Sequence, residues 1–352
     1  MSSFFWRNRK VFITGHTGFK GTWLLLLLKK MGADIHGYAL PPQSGGLFEL
    51  LDGNKYLSSS TLGDICDEYS LGIALKNSRA EVILHLAAQP LVLDSYKDPV
   101  NTYRTNVLGT LNLIEAIRKS DDVKSFVNIT TDKVYENREW YWPYRESDQL
   151  GGHDPYASSK ACSEILTSSY FRSFFNLSNV GFATARSGNV IGGGDWSSNR
   201  IIPDFFRAAH SHSILEVRNR YATRPWQHVL DPLSGYLNLA ESLFHDFKTY
   251  SGAWNFGPDN SSTKSVFDLV NELLQLNPQV DVSFLDENKQ KTHESSLLEL
   301  DCAKSRQQLA WKPKWDFKNA VQRTSDWYNC WSNTSNLTEF TEMQLSEFTK
   351  ND

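Results

Sequence analysis

The 352 residues predict an α/β protein: a doubly wound parallel sheet followed by a smaller C-terminal region. Three observations carry this expectation. Short β-rich runs alternate with helix-like stretches from the start of the chain. A glycine-rich turn directly follows the first of those runs. Beyond about residue 190 the alternation gives way to loop-like segments joined by short helices. Strands alternating with helices make βαβ units, and their right-handed crossovers set neighbouring strands parallel.

The elements read in order as follows. KVFIT (10–14) is the first strand, and a helix is expected over about 17–31. ADIHGYAL (33–40) reads as a second strand. VILHLAA (82–88) is almost continuously apolar, as a strand buried on both faces is. Residues 100–119 read as a helix and SFVNITT (125–131) as a strand. A long helix over 155–175 is followed by the strand VGFATARS (180–187). GGGDW, RPWQH and WNFGPDN read as loops, with a short helix at Val266–Leu276. The expected division is 1–190 as a nucleotide-binding domain to which later segments return. Residues 191–330 are expected to be mainly a substrate-binding region, and 331–352 a polar, frayed tail.

Bulk properties remove several function classes. Lys and Arg number 36 against 40 Asp and Glu, a net charge of −4, so nucleic acid is not an expected partner. Cys66, Cys162, Cys302 and Cys330 are widely spaced and form no CxxC. Neither a metal site nor a disulfide framework is expected, and a reducing compartment is the simplest setting. The opening residues lack the apolar core of a signal peptide, and the run 23–28 is too short to span a bilayer. A cytoplasmic protein with no membrane partner is the expectation.

Gly15, Gly18 and Gly21 follow the first strand and open the first helix, with Thr17, Phe19 and Lys20 between them. A dinucleotide pyrophosphate rests against a helix N-terminus, where unpaired N–H groups and the helix dipole favour negative charge. Backbone can approach that closely only where side chains are absent. Such a turn after the first strand fits a Rossmann-type sheet. An acidic residue at the end of the second strand usually takes the ribose. Here Tyr38 and Ala39 stand in its place, and no Arg is set for a 2′-phosphate, which favours NAD over NADP.

Asp154-Pro155-Tyr156 leads into Lys160, four residues on. Asp154 suits an N-cap and Pro155 the first helical position. Tyr156 and Lys160 then share one helix face, a turn apart. A free phenol has a pKa near ~10 and is a weak base at neutral pH. An adjacent ammonium and a cationic nicotinamide would both favour phenolate, with a shift of ~3 units required.

The order of glycine loop, Asn106 in a helix, Thr130-Thr131 at a strand end, and Tyr156/Lys160 resembles the extended short-chain dehydrogenase/reductase superfamily, over about residues 9–330. In that superfamily Asp64-Ile65 would contact the adenine, and Leu86, Ala87, Ala88 and Gln89 would form the cofactor-lining loop. Thr131 is followed by Asp132-Lys133, where thymidine-linked sugar dehydratases carry Asp-Glu. The Asp-Lys pair, with TTDKVYENREW (130–140), SGNVIGGGDW (187–196), RPWQH, PLSGY (232–236) and WNFGP, resembles the cytidine-linked branch of nucleotide-sugar 4,6-dehydratases, which act on CDP-glucose.

The resemblance implies roles. Tyr156 takes the C4 hydroxyl proton, Lys160 lowers the Tyr156 pKa and holds the nicotinamide ribose, and Thr131 hydrogen-bonds the C4 oxygen. Asp132 is the acid at the C6 hydroxyl. Lys133 is either the C5 base or a cation that stabilises the enolate. Asn189, Arg200, Arg224 and Asn255 would bind the nucleotide diphosphate, and Trp196 or Trp226 could stack on a base. A different nucleotide-sugar dehydratase or epimerase is one alternative, and a non-catalytic NAD-sensing module another. Superfamily members dimerise through two helices per subunit, here 100–119 and 155–175, so a homodimer is expected.

Overall fold

The computed structural model describes residues 3–259, 262–285, 297–333 and 336–350. Seven strands form one parallel sheet. They are β1 Lys10–Thr14, β2 Asp34–Ala39, β3 Ser59–Leu62, β4 Val82–His85, β5 Ser125–Ile129, β6 Gly181–Ser187 and β7 Gly252–Phe256. Their spatial order is β7-β6-β5-β4-β1-β2-β3. The chain first builds outward from β1 to β3, then crosses back to β4 on the other side. The carboxyl ends of β1 and β4 therefore flank a crevice, the place where such sheets bind ligands.

Strand periodicity divides the apolar residues between two cores. Val11, Ile13, Val82, Leu84, Val127 and Ala183 face one core, which includes Trp23–Leu28 of the first helix. Phe12, Ile83, Phe126 and Phe182 face the other, with Leu71, Leu75, Leu113 and Ile117. Both faces being covered, every residue of β4, β5 and β6 is buried.

Three expectations need correction. WNFGPDN contains a strand, not only a loop: β7 pairs in parallel with β6, and Trp254 and Phe256 are fully buried. The Gly-Pro-Asp that follows masks its short apolar alternation. RPWQH likewise contributes the short strands Thr223–Pro225 and Gln227–His228. The third correction concerns the tail. Leu337–Thr349 is a helix whose Thr341, Gln344, Leu345 and Phe348 are buried. Their spacing of three and four residues makes a helical stripe that a polar composition conceals. Residues 334–335 and 351–352 of that tail lie outside the described residues. The strand β3 was not anticipated, because SSTL is polar and mostly exposed at the sheet edge.

One buried acid gives the fold a pH dependence. Asp231 is 0% exposed and accepts the Lys314 N–H at 2.6 Å. Burial pushes its carboxyl up to about 7. The folded value thus lies above the unfolded one, near ~3.9. Its stabilising contribution is full below ~3.9 and is lost as pH rises through about 7. Asp231→Asn is expected to remove this loss. Thermal melts at pH 5 and pH 8 should then differ less than in wild type; an unchanged difference would refute the assignment.

Candidate active site

A cavity of about 410 Å³ opens at the carboxyl edge of the sheet. Thr131, Asp132, Lys133 and Tyr156 all line it, from two separate elements. β5 ends at Ile129, and a short 3-10 turn, Asp132–Val134, follows. Thr131 caps that turn: its hydroxyl accepts the Lys133 N–H at 3.4 Å and donates to Asp132 Oδ1 at 3.0 Å. Asp132 is 2% exposed, and its Oδ2 has no hydrogen-bond partner among the described residues. Gly188 faces it; a Cβ there would stand 3.0 Å from Oδ2. Lys133 is half-buried at the same wall.

The helix Pro155–Tyr170 starts as its sequence dictates. Asp154 accepts the Ala157 N–H at 2.8 Å, and Pro155 occupies the first turn. Tyr156 and Lys160 are both buried on its inner face. The Lys160 ammonium donates to Ile129 O at 3.0 Å. Burial pulls it down to about 8, against the raising influence of Glu164. Glu164, a turn further on, accepts Arg186 in bidentate fashion at 2.9 and 2.7 Å, and also Thr184 at 2.6 Å. That ion pair fixes the helix to β6.

Tyr156 departs from expectation. Burial pushes its phenol up to about 12, although the neighbouring Thr131 hydroxyl and Arg200 pull it down. Desolvating a phenolate costs more here than this chain's own cations return. In the protein alone the phenol therefore lies above its ordinary value.

The glycine loop has two kinds of glycine. Gly15 has φ +78°, and a Cβ at Gly21 would fall 2.1 Å from Gly15 O, so packing requires both. A Cβ at Gly18 would meet only Gly15 O, at 3.5 Å, and otherwise open space. Gly18 caps the 12-residue helix Phe19–Lys30 with no side-chain bond. Open backbone at an uncapped helix start fits a pyrophosphate. Thr17 donates to Leu40 O at 3.0 Å and ties the loop to the end of β2. Phe19 and Lys20 reach into the cavity.

The loop after β4, Leu86 to Gln89, lies half-buried beside it. Asn106 sits in a π-helical turn, Arg104–Leu108, and accepts the Gln89 N–H at 2.8 Å. It donates to Gln89 O at 3.1 Å and Ser159 at 2.9 Å, so it ties that loop to the tyrosine helix. Asp64 is exposed and takes the Cys66 N–H at 2.9 Å, while Ile65 is buried against Gly109. The glycine edge, the β4 loop and the exposed Asp64 suit NAD. The residues that would hold it are Gly15, Thr17, Gly18, Phe19, Asp64, Ala87, Ala88 and Lys160.

On the substrate side, Asn189, Arg200 and Arg224 line the cavity. Arg200 pairs with Asp195 at 2.9 Å. Arg224 is 4% exposed and donates to Thr223 O at 2.8 Å. Asn255 is elsewhere. It is 0% exposed, accepts from the Tyr135 hydroxyl at 2.7 Å and donates to Tyr144 O and Asp301 O. The pleat of β7 turns it into this network, and it is not among the residues that line the cavity. Trp226 lines the cavity, whereas Trp196 packs on Tyr328 and Trp331. Sequence reasoning missed the far wall, Leu215 to Asn219, because its three-residue strand is too short to signal itself. Among the described residues no cluster of His, Cys, Asp or Glu could hold a metal, and no helix is long and apolar enough to cross a membrane.

A crevice at the strand-order reversal, with a tyrosine–lysine helix beside it, defines a Rossmann-type nucleotide-binding protein. The chain belongs to the GDP-mannose 4,6 dehydratase family, which it matches over residues 12–324. It is 43% identical to a CDP-glucose 4,6-dehydratase of Salmonella typhimurium, over 98% of this chain and 97% of that one. A dTDP-glucose 4,6-dehydratase of Streptomyces antibioticus is 29% identical over 76% of this chain and 75% of its own. The dTDP-glucose 4,6-dehydratase of Bacillus anthracis, solved in complex with NAD, superposes with a TM-score of 0.77 at 21% identity. That match covers 95% of this chain and 99% of the other.

Proposed function

We propose that the chain is a lyase that converts CDP-D-glucose to CDP-4-dehydro-6-deoxy-D-glucose with NAD as cofactor. The carrying observation is that Tyr156, Thr131, Asp132 and Lys133 line one cavity. An epimerase needs only the first two. Groups that can move protons at C5 and C6 are what an elimination adds. The CDP-glucose reading of the nucleotide draws on the 43% identical relative.

NAD, when bound, supplies the acceptor for the C4 hydride and the donor of that hydride to C6. The chain's own groups do the rest. Tyr156 takes the O4 proton as the ketone forms, and Thr131 hydrogen-bonds that oxygen. The ketone acidifies C5–H, and Lys133 removes this proton or, remaining charged, stabilises the enolate while a solvent water takes the proton. Asp132 protonates O6, which leaves as water and creates the C5–C6 double bond. A proton returned to C5 completes the product, with no net oxidation. Arg200, Arg224 and Asn189, which line the cavity, would hold the diphosphate, since a guanidinium fork matches phosphate oxygens.

The test is direct. Purified protein with NAD and CDP-glucose is expected to yield a 4-keto-6-deoxy sugar nucleotide by mass and NMR. An epimer, or unchanged substrate, would overturn the reading. UDP-, dTDP- and GDP-glucose run in parallel decide the nucleotide.

We further infer a cytoplasmic homodimer. The helical segments 99–118 and 155–175 expose Val100, Leu108, Ile165 and Phe174 at 77%, 52%, 55% and 53%. Light scattering is expected to give twice the 40.1 kDa chain mass, and Ile165→Asp to give the monomer. A monomeric wild type would refute it.

A further inference from the structure

The turn that carries Thr131, Asp132 and Lys133 is held at both ends by one buried ion pair. At its start, the Thr130 hydroxyl donates to Glu164 Oε1 at 2.5 Å. At its end, the Tyr135 hydroxyl accepts the Arg186 Nη1–H at 2.8 Å. Glu164 and Arg186 are joined at 2.9 and 2.7 Å, and both side chains are 3% exposed. One guanidinium therefore closes a ring that runs from Thr130 to Glu164, Arg186 and Tyr135, and back along the chain through residues 134–131.

The Tyr135 hydroxyl has both of its hydrogen-bonding roles filled. It donates to Asn255 Oδ1 at 2.7 Å, which leaves a lone pair for Arg186. Asn255 is fixed in turn by Tyr144 O and Asp301 O. The Arg186 guanidinium also lies over the Tyr135 ring, 4.8 Å from its centre. Thr130 and Tyr135 border the cavity beside the turn, whereas Glu164, Arg186 and Asn255 stand behind it. A buried ion pair contributes little net stability over apolar packing of the same volume. A fully satisfied buried network contributes fixed geometry instead. A displacement of about 1 Å at a reacting group can cost on the order of 10²-fold in rate.

We propose that Arg186 is a positioning residue for the reaction: bonded to Glu164 on one side and Tyr135 on the other, it sets where Asp132 and Lys133 meet C6 and C5 of the sugar. This rests on the dehydratase reading above. A lysine would keep the charge beside Glu164, but its ammonium lacks the planar fork that spans both partners. Elimination needs two groups aligned at once, one at C5 and one at O6. Exchange of C5–H with solvent needs only the first. Loosening the turn therefore costs elimination more than exchange.

The experiment compares wild type, Tyr135→Phe, Arg186→Lys and Thr341→Val in D₂O with saturating NAD and CDP-glucose. Tyr135→Phe removes only the hydroxyl and leaves the Glu164–Arg186 pair. Thr341→Val loses a buried hydrogen bond to Trp327, outside the cavity lining, and controls for destabilisation. The readout is the ratio of substrate recovered with deuterium at C5 to 4-keto-6-deoxy product. Both pass through the same ketone, so lost folded protein or slower oxidation at C4 cancels in the ratio. Tyr135→Phe and Arg186→Lys are expected to raise it roughly tenfold, and Thr341→Val to leave it at the wild-type value. An unchanged ratio in Tyr135→Phe or in folded Arg186→Lys would overturn the proposal, as would an equal rise in Thr341→Val. Amide hydrogen exchange over 130–135 reads the anchor without substrate. It should be faster in Tyr135→Phe than in wild type, and equal protection in the two would also overturn the proposal. If wild type forms no dehydrated product, the dehydratase reading fails instead, and amide exchange still decides whether the pair holds the turn.

Discussion

Tyr156→Phe is expected to lower turnover of CDP-glucose by roughly 10²–10⁴-fold, the usual worth of a positioned general base. The change removes one oxygen and keeps the ring. Tyr156 is 9% exposed, at the start of a helix fixed by Asp154 and by the Glu164–Arg186 pair, so the fold should survive. Circular dichroism should therefore be unchanged while rate collapses. Burial holds the wild-type phenol up at about 12, and the variant has no oxygen to ionise. The residual rate of the variant should accordingly not recover at alkaline pH. Turnover within tenfold of wild type would remove Tyr156 from the mechanism.

Asp132→Asn is expected to cost a similar roughly 10²–10⁴-fold in product formation, but at a later stage. With no acid at O6, the ketone can still form and C5–H can still exchange. Substrate recovered from D₂O should thus carry deuterium at C5 without having lost its C6 hydroxyl. Lys133→Met is expected to behave in the opposite way, with no exchange at C5. The contrast separates the two neighbours. Exchange abolished by Asp132→Asn and kept by Lys133→Met would exchange their roles, and full product formation by either would eliminate that residue.

Much of this site was legible in the sequence because it lies at the ends of regular elements. The glycine turn after β1, the Thr131-Asp132-Lys133 run after β5, and the capped helix that carries Tyr156 and Lys160 are each local signals. What local pattern cannot convey is the direction of a side chain within a long-range contact. Asn255 was expected at the substrate, yet β7 pairs with β6 and turns it toward Tyr135 and Tyr144. Lys20 was grouped with the cofactor loop, yet its stem reaches Ser187, 167 positions away. The phenol's elevated pKa was equally hidden, since desolvation depends on neighbours contributed by distant segments.

The helix Leu337–Thr349 is part of the packed body and not an appendage to it. Phe348 stacks edge-on against Trp315, Thr341 accepts the Trp327 indole N–H at 2.9 Å, and Lys30 reaches Ser346 from the first helix. A boundary drawn by composition at residue 330 would cut through the contacts of Trp315 and Trp327 with this helix. The hydrophilic last stretch is a clasp that fastens Leu337–Thr349 to the helix Phe19–Lys30 across the sequence.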